Sequence, residues 1–164
     1  MIFQIIIRTP IWVWALLIFL VGLGFVQTRP RIMGMRRVIV IPAVLTLLSI
    51  FGAVSAFGSS PTVILSWIAA ATLLAFVVMK IPLHIGNWFD PQTRQLHVLG
   101  SWVPLALILG IFANKYYVGI ALAMQPGLAQ NDTFSLAFTT LYGAFSGIFI
   151  GRALRLWYLT KANI

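Results

Sequence analysis

The sequence predicts an all-α integral membrane protein, a bundle of five transmembrane helices. Of the 164 residues, 61% are hydrophobic and only 8% are charged, and the mean hydropathy is +1.02. Soluble domains usually hold about 45–50% apolar and about 25% charged residues, so a soluble fold is excluded. The aromatic content of 13% excludes a disordered chain. At roughly 20 residues per span, residues 1–164 form a single transmembrane domain with short connections.

The first three spans are uncharged apolar runs. The first extends over 9–27, with Thr9 as its N-cap and Pro10 at the first helical position. A polar connection over 28–37 follows, and then come spans over 38–57 and 62–79. The sequence GSSP between these two spans predicts a tight turn. One helix over both spans would be about 60 Å long, about twice the hydrocarbon thickness, so a hairpin is the better interpretation.

The connection over 80–98 is the longest polar stretch. Asp90 and the proline after it predict a turn, and the apolar residues on either side of this turn predict a small hairpin at the membrane interface. Trp88 and Trp102 stand where aromatic side chains anchor at lipid headgroups. The fourth span extends over 99–124 and the fifth over 133–152.

The distribution of cations predicts the orientation. Nine Lys and Arg residues lie in the connections over 28–37 and 80–98 and in the C-terminal segment, whereas the other two connections carry none. The positive-inside rule places these nine in the cytoplasm, so the N-terminus is outside and the C-terminus is cytoplasmic. Candidate contacts for anionic lipid headgroups, at about 1 kcal/mol each, are Arg29, Arg31, Arg36 and Arg37. No basic cluster with interleaved aromatics is present, so nucleic-acid binding is not expected.

Small residues recur every four positions along the fifth span. Such a row lets a second helix approach closely, which favours helix packing in a membrane. The neighbour is either another span of the same chain or a second protomer, and the pattern leaves both open. The members of the row are Ser135, Thr139, Gly143, Gly147 and Gly151.

Lys115 is the one ionisable residue well inside a span. Intramembrane charges usually face a bundle interior, a watery cavity or a charged partner. Three interpretations stay open: Lys115 extends to the exterior headgroups, pairs with Asp132, or lines a solute or proton pathway. Asn114, Tyr116 and Tyr117 add hydrogen-bonding groups to this candidate intramembrane polar site.

The sequence shows no constellation for catalysis, for a cofactor or for a metal. His84 and His97 stand thirteen residues apart without further ligands at a suitable spacing. Phosphate-binding loops and nucleophile motifs are missing, and the absence of cysteine excludes disulfides and thiolate sites. We therefore expect a protein that is not an enzyme.

Three segments resemble small bacterial inner-membrane proteins of uncharacterised function: RTPIWVWALL, TRPR and FDPQTRQLHVLGSWVPL. The resemblance extends over most of the chain and implies placement in the bacterial inner membrane, but it transfers no catalytic or binding residue. We expect an accessory or scaffold subunit that acts by helix packing, self-associating or within a larger membrane complex. The alternative is a small oligomeric transporter or channel that uses Lys115 and its polar neighbours.

Overall fold

The computed structural model describes residues 10–81, 87–90, 92–93 and 95–162. Within these ranges the chain forms five α-helices and a small sheet. The helices are α1 Ile11–Val26, α2 Met35–Phe57, α3 Pro61–Lys80, α4 Val103–Met124 and α5 Asp132–Ala162. The strands are β1 Arg31–Gly34, β2 Trp88–Asp90 and β3 Gln95–Val98, and a 3-10 turn covers Pro126–Gln130. The sheet corrects the all-α prediction in this detail.

Four of the helices, α2 to α5, are long and apolar enough to cross a membrane. The remaining helix, α1, has 16 residues and measures about 24 Å, which is less than the roughly 30 Å of the hydrocarbon core. The observed helices match the predicted spans to within a few residues at most ends. The main difference is that α5 continues beyond 152 to Ala162, because this segment is rich in Leu, Ala and Arg, which favour helix.

The turn between α2 and α3 lies where the sequence predicts it. Gly58 ends α2 with a φ of 80°, a conformation that side-chain-bearing residues rarely adopt, and its N–H donates to the Val54 carbonyl. The Ser60 hydroxyl then accepts a hydrogen bond from the Val63 N–H at 3.4 Å, and Pro61 occupies the first position of α3. We call this end of the bundle the turn end.

The long helix α5 is the centre of the packing. It contacts α3 most extensively and also contacts α2 and α4, while α1 packs on α4. At the turn end, Phe57, Trp67, Val118 and Tyr142 belong to one buried cluster contributed by α2, α3, α4 and α5. The bundle is therefore organised around α5, with α1 at its periphery.

The three strands form an antiparallel sheet in the order β1-β3-β2. The hairpin of β2 and β3 lies where the sequence predicts it, whereas β1, which pairs Arg31 with Val98, was not predicted. Leu96 is fully buried and packs with Val38 of α2 and, at the cluster's edge, Leu156 of α5. The connections over 28–37 and 80–98 therefore meet at one end of the bundle, which we call the sheet end.

Candidate functional site

The glycine row of α5 lies against the backbone of α3. A Cβ atom on Gly143 would collide with the carbonyl oxygen of Trp67, and one on Gly147 would collide with that of Ala71. Gly151 repeats the pattern one turn further along α3. Because the contacts advance in the same direction on both helices, α3 and α5 run parallel. In this structure the glycines face a helix of the same chain.

The two polar members of the row are also buried. Ser135 is 8% exposed and Thr139 is completely inaccessible. The Ser135 hydroxyl donates to the Asp132 carbonyl at 3.1 Å, and the Thr139 hydroxyl has no hydrogen-bond partner among the described residues. These positions therefore belong to the packed interior and do not present a polar surface.

Ser49 connects three helices through hydrogen bonds that sequence reasoning missed. Its hydroxyl donates to the Tyr142 carbonyl of α5 at 3.0 Å and accepts from the Trp67 indole N–H of α3 at 3.2 Å. The Ser146 hydroxyl donates to the same carbonyl. Interhelical hydrogen bonds of this kind contribute about 0.6–2 kcal/mol in membranes. The available signal was that Ser49 is one of only three hydroxyl-bearing residues in the apolar run over 38–57.

The side chains of the predicted polar site on α4 do not come together. Successive residues of a helix point about 100° apart, so consecutive side chains face different neighbours. The Tyr116 ring lies 6.5 Å from the Trp14 ring of α1, whereas the Tyr117 ring stacks at 5.3 Å on Phe138 of α5. Both tyrosines therefore take part in helix packing on different sides of α4.

Lys115 lies against α2. A Cβ atom on Gly52 would be 2.9 Å from Cε and 3.2 Å from Nζ of Lys115. Lys115 stands about 14 Å from the end of α4 at the turn end, whereas Gly52 stands about 8 Å from the corresponding end of α2. The side chain therefore extends about one turn toward the turn end. Lys115 and Asp132, both of which are described, form no ion pair.

Asn114 and Asp132, the other two members of the predicted polar site, form no described hydrogen bond or ion pair with Lys115. Asn114 is 7% exposed, and its amide nitrogen and oxygen have no hydrogen-bond partner in the described part of the chain. Asp132 occupies the first turn of α5, where the helix dipole favours a negative charge. The neighbouring Asn131, not singled out in the sequence, accepts a hydrogen bond from the Phe134 N–H at 3.0 Å and caps this helix.

The four arginines over 28–37 differ in exposure. Arg29, Arg36 and Arg37 are exposed, whereas Arg31 is partly buried. Its Nε donates to the Met33 sulfur and its Nη2 donates to the Gln27 side-chain oxygen, both at 3.1 Å. Burial lowers the pKa of Arg31, although a guanidinium stays charged at neutral pH.

A small pocket of about 240 Å³ opens beside β1. The Trp88 and His97 rings stack next to it, with centroids 3.8 Å apart and planes inclined by 7°. The pocket combines one guanidinium with aromatic and aliphatic groups, and its lining residues are Pro30, Arg31, Ile32, Trp88, His97, Val98 and Leu99. His84 lies outside the described residues.

The hairpin turn holds one of the two acidic residues of the chain. The Asp90 carboxylate accepts hydrogen bonds from the Thr93 hydroxyl at 2.6 Å and from the Gln92 N–H at 3.0 Å. The Thr93 hydrogen bond, followed by that of Gln92, lowers the pKa of Asp90.

Across the described ranges, no three His, Cys, Asp or Glu side chains come together as a metal site.

Fold and site together define a class: a helical, membrane-compatible protein with a small sheet at one end of its bundle. The chain belongs to DUF6622, a family of unknown function, whose family model matches residues 1–164. This membership agrees with the resemblance to uncharacterised proteins. No match was found among the curated proteins or the solved structures.

Proposed function

We propose that the protein crosses the bacterial inner membrane five times, with its N-terminus outside and its C-terminus in the cytoplasm. The pairing of β1 with β3 supports this topology, because strands can pair only on one side of a bilayer. The chain between them must then cross an even number of times, and α2 and α3 supply two crossings. The positive-inside rule assigns the cation-rich sheet end to the cytoplasm.

Labelling of single cysteines tests this topology, since the chain has no cysteine of its own. In intact cells, an impermeant maleimide should label Ser59→Cys in the turn between α2 and α3. The exposed β3 residue Gln95 provides the control, because Gln95→Cys should react only after permeabilisation. The reverse pattern would contradict the orientation, and equal labelling of both in intact cells would contradict the crossing by α2 and α3.

We further propose that the protein acts as an accessory or scaffold subunit through helix packing, and that it self-associates. The observation that carries this proposal is that tyrosines of the predicted polar site contact neighbouring helices. Tyr116 and Tyr117 contact α1 and α5, and the exposed side chain of Lys115 lies beside Gly52 of α2. Since the glycine row already faces α3, a second copy would contact a different surface.

The exposed side of α2 is the surface that we propose for this contact. It contains a shallow, open apolar groove of about 560 Å³, on which the side-chain ridge of another helix could pack. Phe51 in this groove is 70% exposed and Leu47 is 67% exposed. The groove is lined by Val44, Leu47, Leu48, Ile50, Phe51 and Val54.

Disulfide cross-linking in native membranes tests self-association. Phe51→Cys should give a dimer of twice the chain mass on a non-reducing gel. Leu73→Cys on α3 is the matched control, because Leu73 is 61% exposed and lies on another helix, so it should stay monomeric. A Phe51→Cys variant that remains monomeric would contradict self-association through α2. A conjugate with another protein would point to a larger complex instead.

The buried Asn114 amide, which has no described hydrogen-bond partner, favours the transporter or channel as a second candidate. Purified protein in proteoliposomes should then carry small anions or protons, and Lys115→Met should abolish the flux without changing the melting temperature. This result would contradict the proposed scaffold role. Wild-type protein that gives no more flux than empty vesicles would count against transport.

A further inference from the structure

Lys115 and Tyr142 approach α2 at the same residue, Gly52. A Cβ atom on Gly52 would be 3.2 Å from Nζ of Lys115 and 4.0 Å from Cε1 of Tyr142. Gly52 itself is buried, whereas the Lys115 side chain is exposed. An ammonium group therefore lies on the lateral surface of the bundle, beside α2 and close to the ring of Tyr142.

This ammonium lies below the level of the lipid headgroups. Gly52 stands five residues from the end of α2, which corresponds to about 8 Å. Helix α2 has 23 residues and measures about 35 Å, so a centred α2 extends only about 2–3 Å beyond each side of the hydrocarbon core. The ammonium is thus about 5 Å inside the hydrocarbon, where an unpaired charge is costly.

Neither acidic residue of the chain lies at this depth. Asp132 is the first residue of α5, ten residues and about 15 Å from Tyr142, and Asp90 belongs to the sheet at the opposite end of the bundle. Among the described residues, Lys115 forms an ion pair with neither of them. A second copy in the same orientation carries its own acids at these same levels. The matching negative charge therefore comes from a different molecule.

The surface of α4 beside Lys115 is open toward the turn end. Nearer the sheet end, Leu20 of α1 and Leu45 of α2 pack against the cluster that contains Ile108 of α4, so α1 and α2 cover α4 there. One turn beyond Lys115, a Cβ atom on Gly119 would meet nothing within 4 Å. A glycine on an exposed helix face lets the backbone of another helix approach closely.

We propose that Lys115 binds a transmembrane helix of another membrane protein, and that this helix carries a carboxylate at the depth of Gly52. In the hydrocarbon, an ammonium and a carboxylate attract each other far more strongly than in water, so one such pair selects a partner by the position of its acid. A lipid phosphate stays in the headgroup layer and reaches this ammonium only by thinning the bilayer. The inference rests on the accessory role proposed above and names the chemistry of the partner.

Synthetic transmembrane peptides in phosphatidylcholine vesicles test the proposal with the purified full chain. The probe is a polyleucine helix with one aspartate about six residues, or about 9 Å, from one end, and the comparison peptide has asparagine there. Energy transfer from a dye on Ser59→Cys to a dye on the peptide measures binding. The aspartate peptide should bind at least about fivefold more tightly than the asparagine peptide, a factor typical of polar contacts between membrane helices.

Lys115→Met should abolish this preference and keep the wild-type melting temperature, because the side chain is exposed. Lys115→Asp should reverse the preference and bind a lysine peptide more tightly than the aspartate peptide. Lys80→Met is the matched control, since it removes an exposed cation at the sheet end, and it should behave as wild type. Gly119→Leu should weaken binding of the aspartate peptide, because its side chain occupies the open surface.

Equal binding of the aspartate and asparagine peptides by the wild type would overturn the proposal, as would an unchanged preference in Lys115→Met. A preference that disappears when phosphatidylglycerol is added to the vesicles would assign the negative charge to lipid and would also overturn it. Cross-linking of Phe51→Cys reports on a different surface. A failed peptide test beside a successful cross-link therefore removes this docking site alone and leaves self-association in place.

Discussion

Replacing Gly147 with leucine should destabilise the bundle by about 3 kcal/mol or more, because the new side chain meets backbone that cannot rotate away. A Cβ atom at this position would collide with the Ala71 carbonyl of α3. The two helices would have to separate, and the neighbouring contacts of Gly143 and Gly151 would open with them. The measurement is the melting temperature in detergent, together with the denaturant midpoint.

Gly119→Leu is the control for this substitution. A Cβ atom on Gly119 of α4 meets nothing within 4 Å, so leucine there should keep wild-type stability or gain slightly from its better helix propensity. Equal melting temperatures for the two variants would contradict the role of the glycine row in joining α3 and α5.

The second large effect is expected for Leu96→Ala. This substitution should lower the free energy of local unfolding by about 2–5 kcal/mol. Leu96 is fully buried beneath the sheet, among Val38, Val98 and Leu156. The cavity left by alanine weakens the attachment of the sheet to α2 and α5. Amide hydrogen exchange of β3 measures this loss, and exchange should become faster in Leu96→Ala.

Ile32 provides the matched control on the adjacent strand. It pairs across the sheet with His97 and is 56% exposed, so Ile32→Ala removes a comparable side chain from the opposite face. Its effect on β3 exchange should be small. Equal acceleration in both variants would mean that the buried side chain is not what attaches the sheet to the helices.

The turn between α2 and α3 and the hairpin of β2 and β3 follow from local signals. Gly58, Ser60 and Pro61 each suit the turn for their own backbone or capping reason, and Asp90 holds its turn through hydrogen bonds to residues that follow it. Such features depend on a few adjacent residues, which is why the sequence predicts them well.

Long-range features were predicted less well. The four residues of β1 have no strong strand pattern, and the partner of Arg31 is Val98, 67 positions away. The spacing of the glycines predicted a close contact but not its partner, although Ala71 and Ala75, also four apart on α3, were a signal for it. At Asn114 and Lys115, adjacency in the sequence suggested one site, whereas the 100° step of the helix separates the side chains.

The separation of β1 from its partner also affects biosynthesis. About 60 residues must be made after Gly34 before β3 is complete, and at roughly 5–20 residues per second this takes several seconds. During that interval β1 has unpaired backbone groups, which are a template for aggregation. Arg29, Arg31, Arg36 and Arg37 lie in and around this strand, and charges at such positions disfavour the pairing of two identical unpaired strands.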